Sequence, residues 1–253
     1  MKARREEKMK VVLLNSTYEI SKAVSSIIIE QITQKPDSVL GFATGSSPVE
    51  TYKRIIEAYE NGEVSLKDIT TFNLDEYCGL PHDNENSYYY FMKDNLFGKT
   101  DVDYNKVHFL SGTTGDIDKE CQVYRDDIEK AGGIDIQLLG VGTNGHIGFN
   151  EPSESFTDGP FKVKLAESTI KANSRFFEDG QVPEYALTMG IGDIMKAKKI
   201  LLIATGASKT HAVKQMIEGE VTPHCPASIL QNHPDATIFI DNESAALLDK
   251  KNF

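Results

Sequence analysis

The chain has few cysteines, no strongly basic stretch and no long apolar run, and each absence removes a class of function. Its three cysteines, Cys78, Cys121 and Cys225, are far apart and odd in number. None sits in a CxxC pair, so neither a disulfide framework nor a zinc site is indicated, and reduced structural thiols are expected. No apolar run approaches the roughly 18 residues of a membrane span. The leading MKARREEKMK carries five bases and two acids and opens into no apolar stretch of signal length. A cytoplasmic location is therefore expected, with no membrane partner and residues 1–8 as a disordered extension. A formal net charge of −11 without a basic block argues against a nucleic-acid partner. A small anionic substrate stays compatible, because a few local cations bind it whatever the total. Repeats, low-complexity tracts and linkers are missing too. The 253 residues are enough for one sizeable core, and a single domain over 9–253 is expected.

What is present alternates strand and helix. KVVLLN (10–15) reads as a short apolar strand. Residues 18–31 then place Ile20, Val24 and Ile27 at helical spacing, with Ala23 and Ile28 beside them, and the pattern stops before Pro36. SVLGFA (38–43) is a second strand, and Ser47-Pro48-Val49-Glu50 is a helix start with Ser47 as cap and Pro48 in the first position. Further strands are expected at 69–74, 106–110, 134–141, 199–205 and 237–241. Helices are expected at 88–96, 117–130, 184–196 and 208–218. Near-continuous apolar strands separated by helices mean an α/β fold, a mostly parallel sheet with helices on both faces.

Ligands of such sheets sit outside the carboxyl ends of the strands, and four segments there carry polar chemistry. Thr44-Gly45-Ser46-Ser47 is a small, hydroxyl-rich turn running into a helix, suited to a phosphate through its N–H groups and the helix dipole, or else an ordinary well-capped turn. It is no Walker loop, since no Gly-Lys-Ser/Thr follows. Asp75-Glu76 sets two carboxylates at a strand end; in extended backbone they point oppositely, so one of them faces a site, unless the pair is a solvated acidic turn. GVGTNG (140–145) formally matches the dinucleotide fingerprint, but HIGFNEP follows with no helical period and runs into Pro152. What remains is a flexible loop presenting His146, with Asn144 and Glu151 near it. A histidine in that setting fits general acid–base work better than a core position. Thr205-Gly206-Ala207-Ser208-Lys209 is a second anion-suited turn, now with a lysine that could equally be solvated.

Taken together these segments resemble the glucosamine-6-phosphate deaminase family. The matching strings are FATGSSP (42–48), TFNLDEYCGL (71–80), NSYYYFM (86–92), GVGTNGHIGFNEP (140–152), KANSRFF (171–177), VPEYALTMGIGDI (182–194) and PASILQNHP (226–234). The resemblance implies a Rossmann-like fold without a nucleotide, and conversion of glucosamine 6-phosphate and water to fructose 6-phosphate and ammonia. It implies that Asp75 is the general base and that His146, oriented by neighbours including Glu151, opens the sugar ring. It also implies that Thr44, Gly45, Ser46, Ser47, Arg175 and Lys209 hold the phosphate, that 164–188 form a mobile lid, and that no metal or other cofactor takes part.

Two departures from the family pattern stand out. Many members carry Asp where this chain has Asn144; Asn accepts a hydrogen bond from the imidazole but supplies no charge to imidazolium. Allosteric relatives bind an N-acetylated activator at a hexamer interface with basic residues after the NEP string. Here 153–164 reads SESFTDGPFKVK, and Phe161 and Val163 stand where those bases would fall. A monomer or small homo-oligomer without such activation is expected. Among rivals, the 6-phosphogluconolactonases share the phosphate turns but lack the IGFNEP continuation. A galactosamine-6-phosphate deaminase differs only in one epimeric hydroxyl of its substrate. A sugar-phosphate sensor would need a DNA-binding element and has no use for both Asp75 and His146.

Overall fold

In the computed structural model, residues 9–177 and 180–249 are described; the extension at 1–8 lies outside them, as do two residues of the expected lid, 178–179. Seven strands form one parallel sheet in the order β1 (Lys10–Leu14), β10 (Ala236–Asp241), β9 (Lys199–Ala204), β6 (Ile136–Gly140), β2 (Val39–Phe42), β3 (Thr70–Asn73), β5 (Val107–His108). These are the seven strands expected from the apolar runs. All six pairings are parallel, for example Leu138 beside Leu201 and Gly41 beside Phe72.

The alternation of side chains along each strand divides the core between the two faces. In β9, Leu201 and Ile203 point to one face and pack with Ile20, Val24 and Ile28 of α1 (Thr17–Gln34) and Tyr52 and Ile55 of α2 (Val49–Glu60). Ile200 and Leu202 point to the other and pack with Tyr124 of α4 (Ile117–Lys130), Ile194 of α6 (Ile191–Ile194) and Val213 and Met216 of α7 (Thr210–Glu218). Each fully buried aliphatic side chain of this kind stabilises the fold by about 1.5–3 kcal/mol. The ends of α1 follow from local chemistry. Ser16 accepts the Glu19 N–H at 3.2 Å as N-cap, and the residue before Pro36, Lys35, has already left helical backbone.

The expected helix at 184–196 is not one helix. Its first half is β8 (Tyr185–Thr188), the middle strand of a second, antiparallel sheet between β4 (Asp75–Tyr77) and β7 (Phe161–Lys164); only α6 is helical. Pairing on both sides buries Ala186, Leu187 and Thr188 completely, which removes the polar-apolar alternation that marks a half-exposed strand. The start of α2 also differs: Pro48 is the residue at its cap and no side chain caps it, so Ser47 is left free for other use. The helix expected at 88–96 is present as α3 (Tyr88–Asn95), capped by Ser87, whose hydroxyl accepts the Tyr90 N–H. Among the described residues no helix is long and apolar enough to cross a membrane.

Candidate active site

The order of strands reverses between β2 and β6, and the crevice beyond their carboxyl ends is the switch point at which open α/β sheets take ligands. A cavity lies there. Thr44, Gly45, Ser46 and Ser47 line it from the turn after β2, Asp75 from β4 just beyond β3, His146 from the loop after β6, and Lys209 from the turn after β9. Arg175 reaches it from the segment following α5 (Glu167–Asn173). Asn144 and Glu151 do not line the cavity; they stand behind His146. All ten candidate residues therefore belong to one constellation, eight on the cavity wall and two supporting it.

Asp75 opens β4 and is only 6% exposed. Burial pushes its carboxyl well above the usual carboxylate range, and the neighbouring Glu76 charge adds to the shift. As the extended backbone requires, Glu76 faces away from the cavity. Its carboxylate accepts the N–H groups of Tyr77, Tyr88 and Tyr89 at 2.8, 2.9 and 3.0 Å, capping α3 from a distant strand. Burial lifts it to about 7 even against those three bonds. Gly148 lets the backbone cross close to Asp75. It has φ +56°, and a Cβ there would lie 3.4 Å from Asp75 Oδ2 and 3.0 Å from Thr188 Oγ1.

The GTNG loop turns back on itself through Gly142 N–H to His146 O at 2.8 Å, and no helix follows it, as the sequence indicates. His146 packs its ring over Gly142. Its Nδ1 is buried and lies 3.4 Å from Glu151 Oε2, an ion-pair distance without hydrogen-bond alignment. This leaves Nε2 as the nitrogen available to a ligand. Burial alone would raise the Glu151 carboxyl. The neighbouring His146 imidazole, with hydrogen bonds from Thr169 and Asn144, outweighs burial and holds the group at about 2.

Asn144 does not accept a bond from the imidazole. Its Nδ2 donates to Glu151 Oε2 at 2.8 Å and its Oδ1 accepts the His146 backbone N–H at 3.2 Å. The reason is electrostatic: beside an ionised carboxylate an amide must present its N–H, which turns its oxygen to the main chain.

At the other end of the cavity Lys209 and Arg175 lie close together. Burial lowers the Lys209 ammonium and the like charge of Arg175 lowers it further. No carboxylate among the described residues forms an ion pair with either. Nor, among the described residues, does any group accept the N–H groups of 44–47. Two cations and unpaired N–H donors around one space are what a dianion stabilises.

Several cavity residues escaped the sequence reading of the site: Tyr88, Phe149, Asn173 and Phe176. Tyr88 stacks on Phe149 and its hydroxyl meets that of Tyr77 at 3.2 Å. The run NSYYYFM could have signalled it, since three tyrosines behind a serine cap are more aromatic surface than a helix of eight residues needs for packing. Among the described residues no group of three or more His, Cys, Asp or Glu is arranged to hold a metal.

Residues 15–239 match the model of the glucosamine-6-phosphate isomerases/6-phosphogluconolactonase family. The chain is 49% identical over 241 residues to a glucosamine-6-phosphate deaminase of Thermoanaerobacter pseudethanolicus, covering 95% of each chain. It is 48% identical over 246 residues to one of Clostridium botulinum strain Alaska E43, covering 97% of this chain and 99% of that protein. Among solved structures, a monomeric glucosamine-6-phosphate deaminase superposes with a TM-score of 0.92 at 43% identity over 94% of this chain and 100% of that one. A 6-phosphogluconolactonase of Trypanosoma brucei, 22% identical with a TM-score of 0.78 over 96% of this chain and 99% of that one, shares the fold.

Proposed function

The chain belongs to the glucosamine-6-phosphate isomerase/6-phosphogluconolactonase family, and we propose that it is a glucosamine-6-phosphate deaminase, converting glucosamine 6-phosphate and water to fructose 6-phosphate and ammonia. The reaction delivers amino sugars to glycolysis. What carries the reading is one cavity that holds a buried carboxylate, an imidazole backed by Glu151, and two cations with no ion-pair partner among the described residues.

The phosphate docks on Arg175, Lys209 and the N–H groups of 44–47, and this remote dianion fixes the sugar above the two proton-transfer groups. His146 Nε2 moves protons in ring opening: the anomeric hydroxyl loses one, the ring oxygen gains one, and the C1–O5 bond breaks to leave the aldehyde. Asp75 then takes the proton from carbon 2. The C–H electron pair forms the C1=C2 double bond of a cis-enolamine while the aldehyde oxygen is protonated. Returning the proton to carbon 1 converts the enolamine to an iminium at carbon 2; water adds there, ammonia leaves, and the ketose results. A carboxyl raised by burial is a stronger base than an ordinary aspartate once ionised, which suits a carbon acid. Lactone hydrolysis needs an activated water and gives a carboxylate over the substrate carbons nothing to do.

The lid at 164–188, a cytoplasmic location and a monomer or small homo-oligomer belong to the same reading. A monomeric relative of 0.92 TM-score supports the assembly. The test is an assay for ammonia and fructose 6-phosphate with purified protein and, in parallel, glucosamine 6-phosphate, galactosamine 6-phosphate and 6-phosphogluconolactone. Turnover of the first is expected to dominate. Turnover of the lactone alone would reverse the assignment.

A further inference from the structure

Glu151 is held from two sides. One side is its own loop, where Oε2 faces His146 and accepts from Asn144. The other is α5, where Oε1 accepts the Thr169 hydroxyl at 2.5 Å and the Ala166 N–H at 3.2 Å. Ala166 precedes α5, which has no side-chain cap of its own, so Glu151 serves as that cap from a separate loop. Thr169 is 4% exposed, and its branched side chain has few rotamers open to it in a helix. A helix of seven residues has little stability of its own and takes its position from such tethers. A second tether is Asn173, whose Nδ2 donates to Tyr77 Oη at 2.9 Å. The chain runs directly from α5 into the turn bearing Arg175.

We propose that Thr169 is a positioning residue for the ring-opening histidine: through Glu151 it fixes the imidazole of His146, and it joins that imidazole mechanically to the segment that carries Arg175. The inference rests on the deaminase reading above. Its physical content is that one carboxylate shares its two oxygens between the catalytic loop and the phosphate-binding segment. Loss of the Thr169 hydroxyl leaves Oε1 with a single long bond from Ala166. The carboxylate then turns, and His146 loses the partner that orients it. Phosphate docking is largely kept, since the Asn173 tether still holds the end of α5 from which the chain runs to Arg175.

Thr169→Val keeps the shape and removes the donor; Thr169→Ser keeps the donor. Both variants are assayed with glucosamine 6-phosphate, and binding of the open-chain alditol, 2-amino-2-deoxyglucitol 6-phosphate, is measured by calorimetry. That ligand needs no ring opening. For Thr169→Val, kcat is expected to fall about tenfold, part of the 10²–10⁴ that general acid–base catalysis supplies. KM and the alditol Kd should stay within about twofold, and Thr169→Ser should recover kcat to within about threefold. A Thr169→Val enzyme with wild-type kcat overturns the proposal. So does a fall in kcat matched by weakened alditol binding, because Thr169 would then only hold the segment in place. Wild-type protein that releases no ammonia overturns the functional reading and this inference together, and is told apart because it involves no variant.

Discussion

Gly142→Ala is a small change with a large expected effect. A Cβ on Gly142 would fall 2.2 Å from His146 Cε1 and 2.4 Å from both ring nitrogens. To regain ordinary contact at 3.4 Å the imidazole must retreat by about 1.2 Å. Closing on Glu151 from 3.4 Å to an ordinary hydrogen-bond distance of about 2.9 Å gains only about 0.5 Å, so the ring swings off the position from which Nε2 meets the substrate. A displacement of about 1 Å at a proton-transfer group costs on the order of 10²-fold in rate. Gly142 does not have a positive φ, so alanine suits the backbone and the fold should persist. The expected result is kcat down about 10²-fold, with melting temperature close to wild type and KM changed less than kcat. Steady-state kinetics beside thermal unfolding measure this. A Gly142→Ala enzyme within about threefold of wild-type kcat would refute the claim that the ring's seat over Gly142 is the productive one.

Truncating Arg175 or Lys209 to Ala should raise KM about tenfold or more and spare kcat, because a remote dianion is held alike in ground and transition states. Unchanged KM in both variants would place the phosphate elsewhere. Substrate saturation should be hyperbolic, with no activation by N-acetylglucosamine 6-phosphate. In β7 the half-buried positions are Phe161 and Val163, while Lys162 and Lys164 point outward and Lys162 covers the Tyr185 ring at 4.5 Å. A Hill coefficient well above one that falls with the activator would show a second site after all.

The parallel sheet was legible because each of its strands is a short apolar run ended by turn residues, a local signal. The second sheet was not, because its register is set by residues far apart in sequence: Thr188 opposes both Asp75 and Phe161. Tyr185–Thr188 therefore read as the first turn of a helix. The same non-local sheet is what buries Asp75 and Glu76, which the sequence could leave as a solvated turn. The opposed orientation of those two carboxylates needed only the pleat of an extended chain, and it was visible. Nine of the ten candidate residues came from segments after strands and Arg175 from the family resemblance, and the topology brings eight of them to the cavity wall with Asn144 and Glu151 behind His146. The link from Thr169 to Glu151 was invisible, since it joins residues that share no pattern. So was the orientation of Asn144, which depends on the ionised carboxylate beside it.

In the proposed mechanism Asp75 carries the proton between carbon 2 and carbon 1. Burial raises its carboxyl in the folded state. Ionising it thus costs stability as pH rises above about 4, the ordinary aspartate value, until the raised folded value is passed. Asp75→Asn removes that cost. At pH 7 the variant should melt no lower than wild type, while at acid pH, where both forms are neutral, the two should converge. The measurement is turnover of glucosamine 6-phosphate by purified Asp75→Asn at saturating substrate, with its melting temperature taken on the same sample. A stable variant that has lost about 10²–10⁴ in kcat with KM little changed is the predicted result. A stable variant that keeps more than about a tenth of wild-type turnover would contradict it.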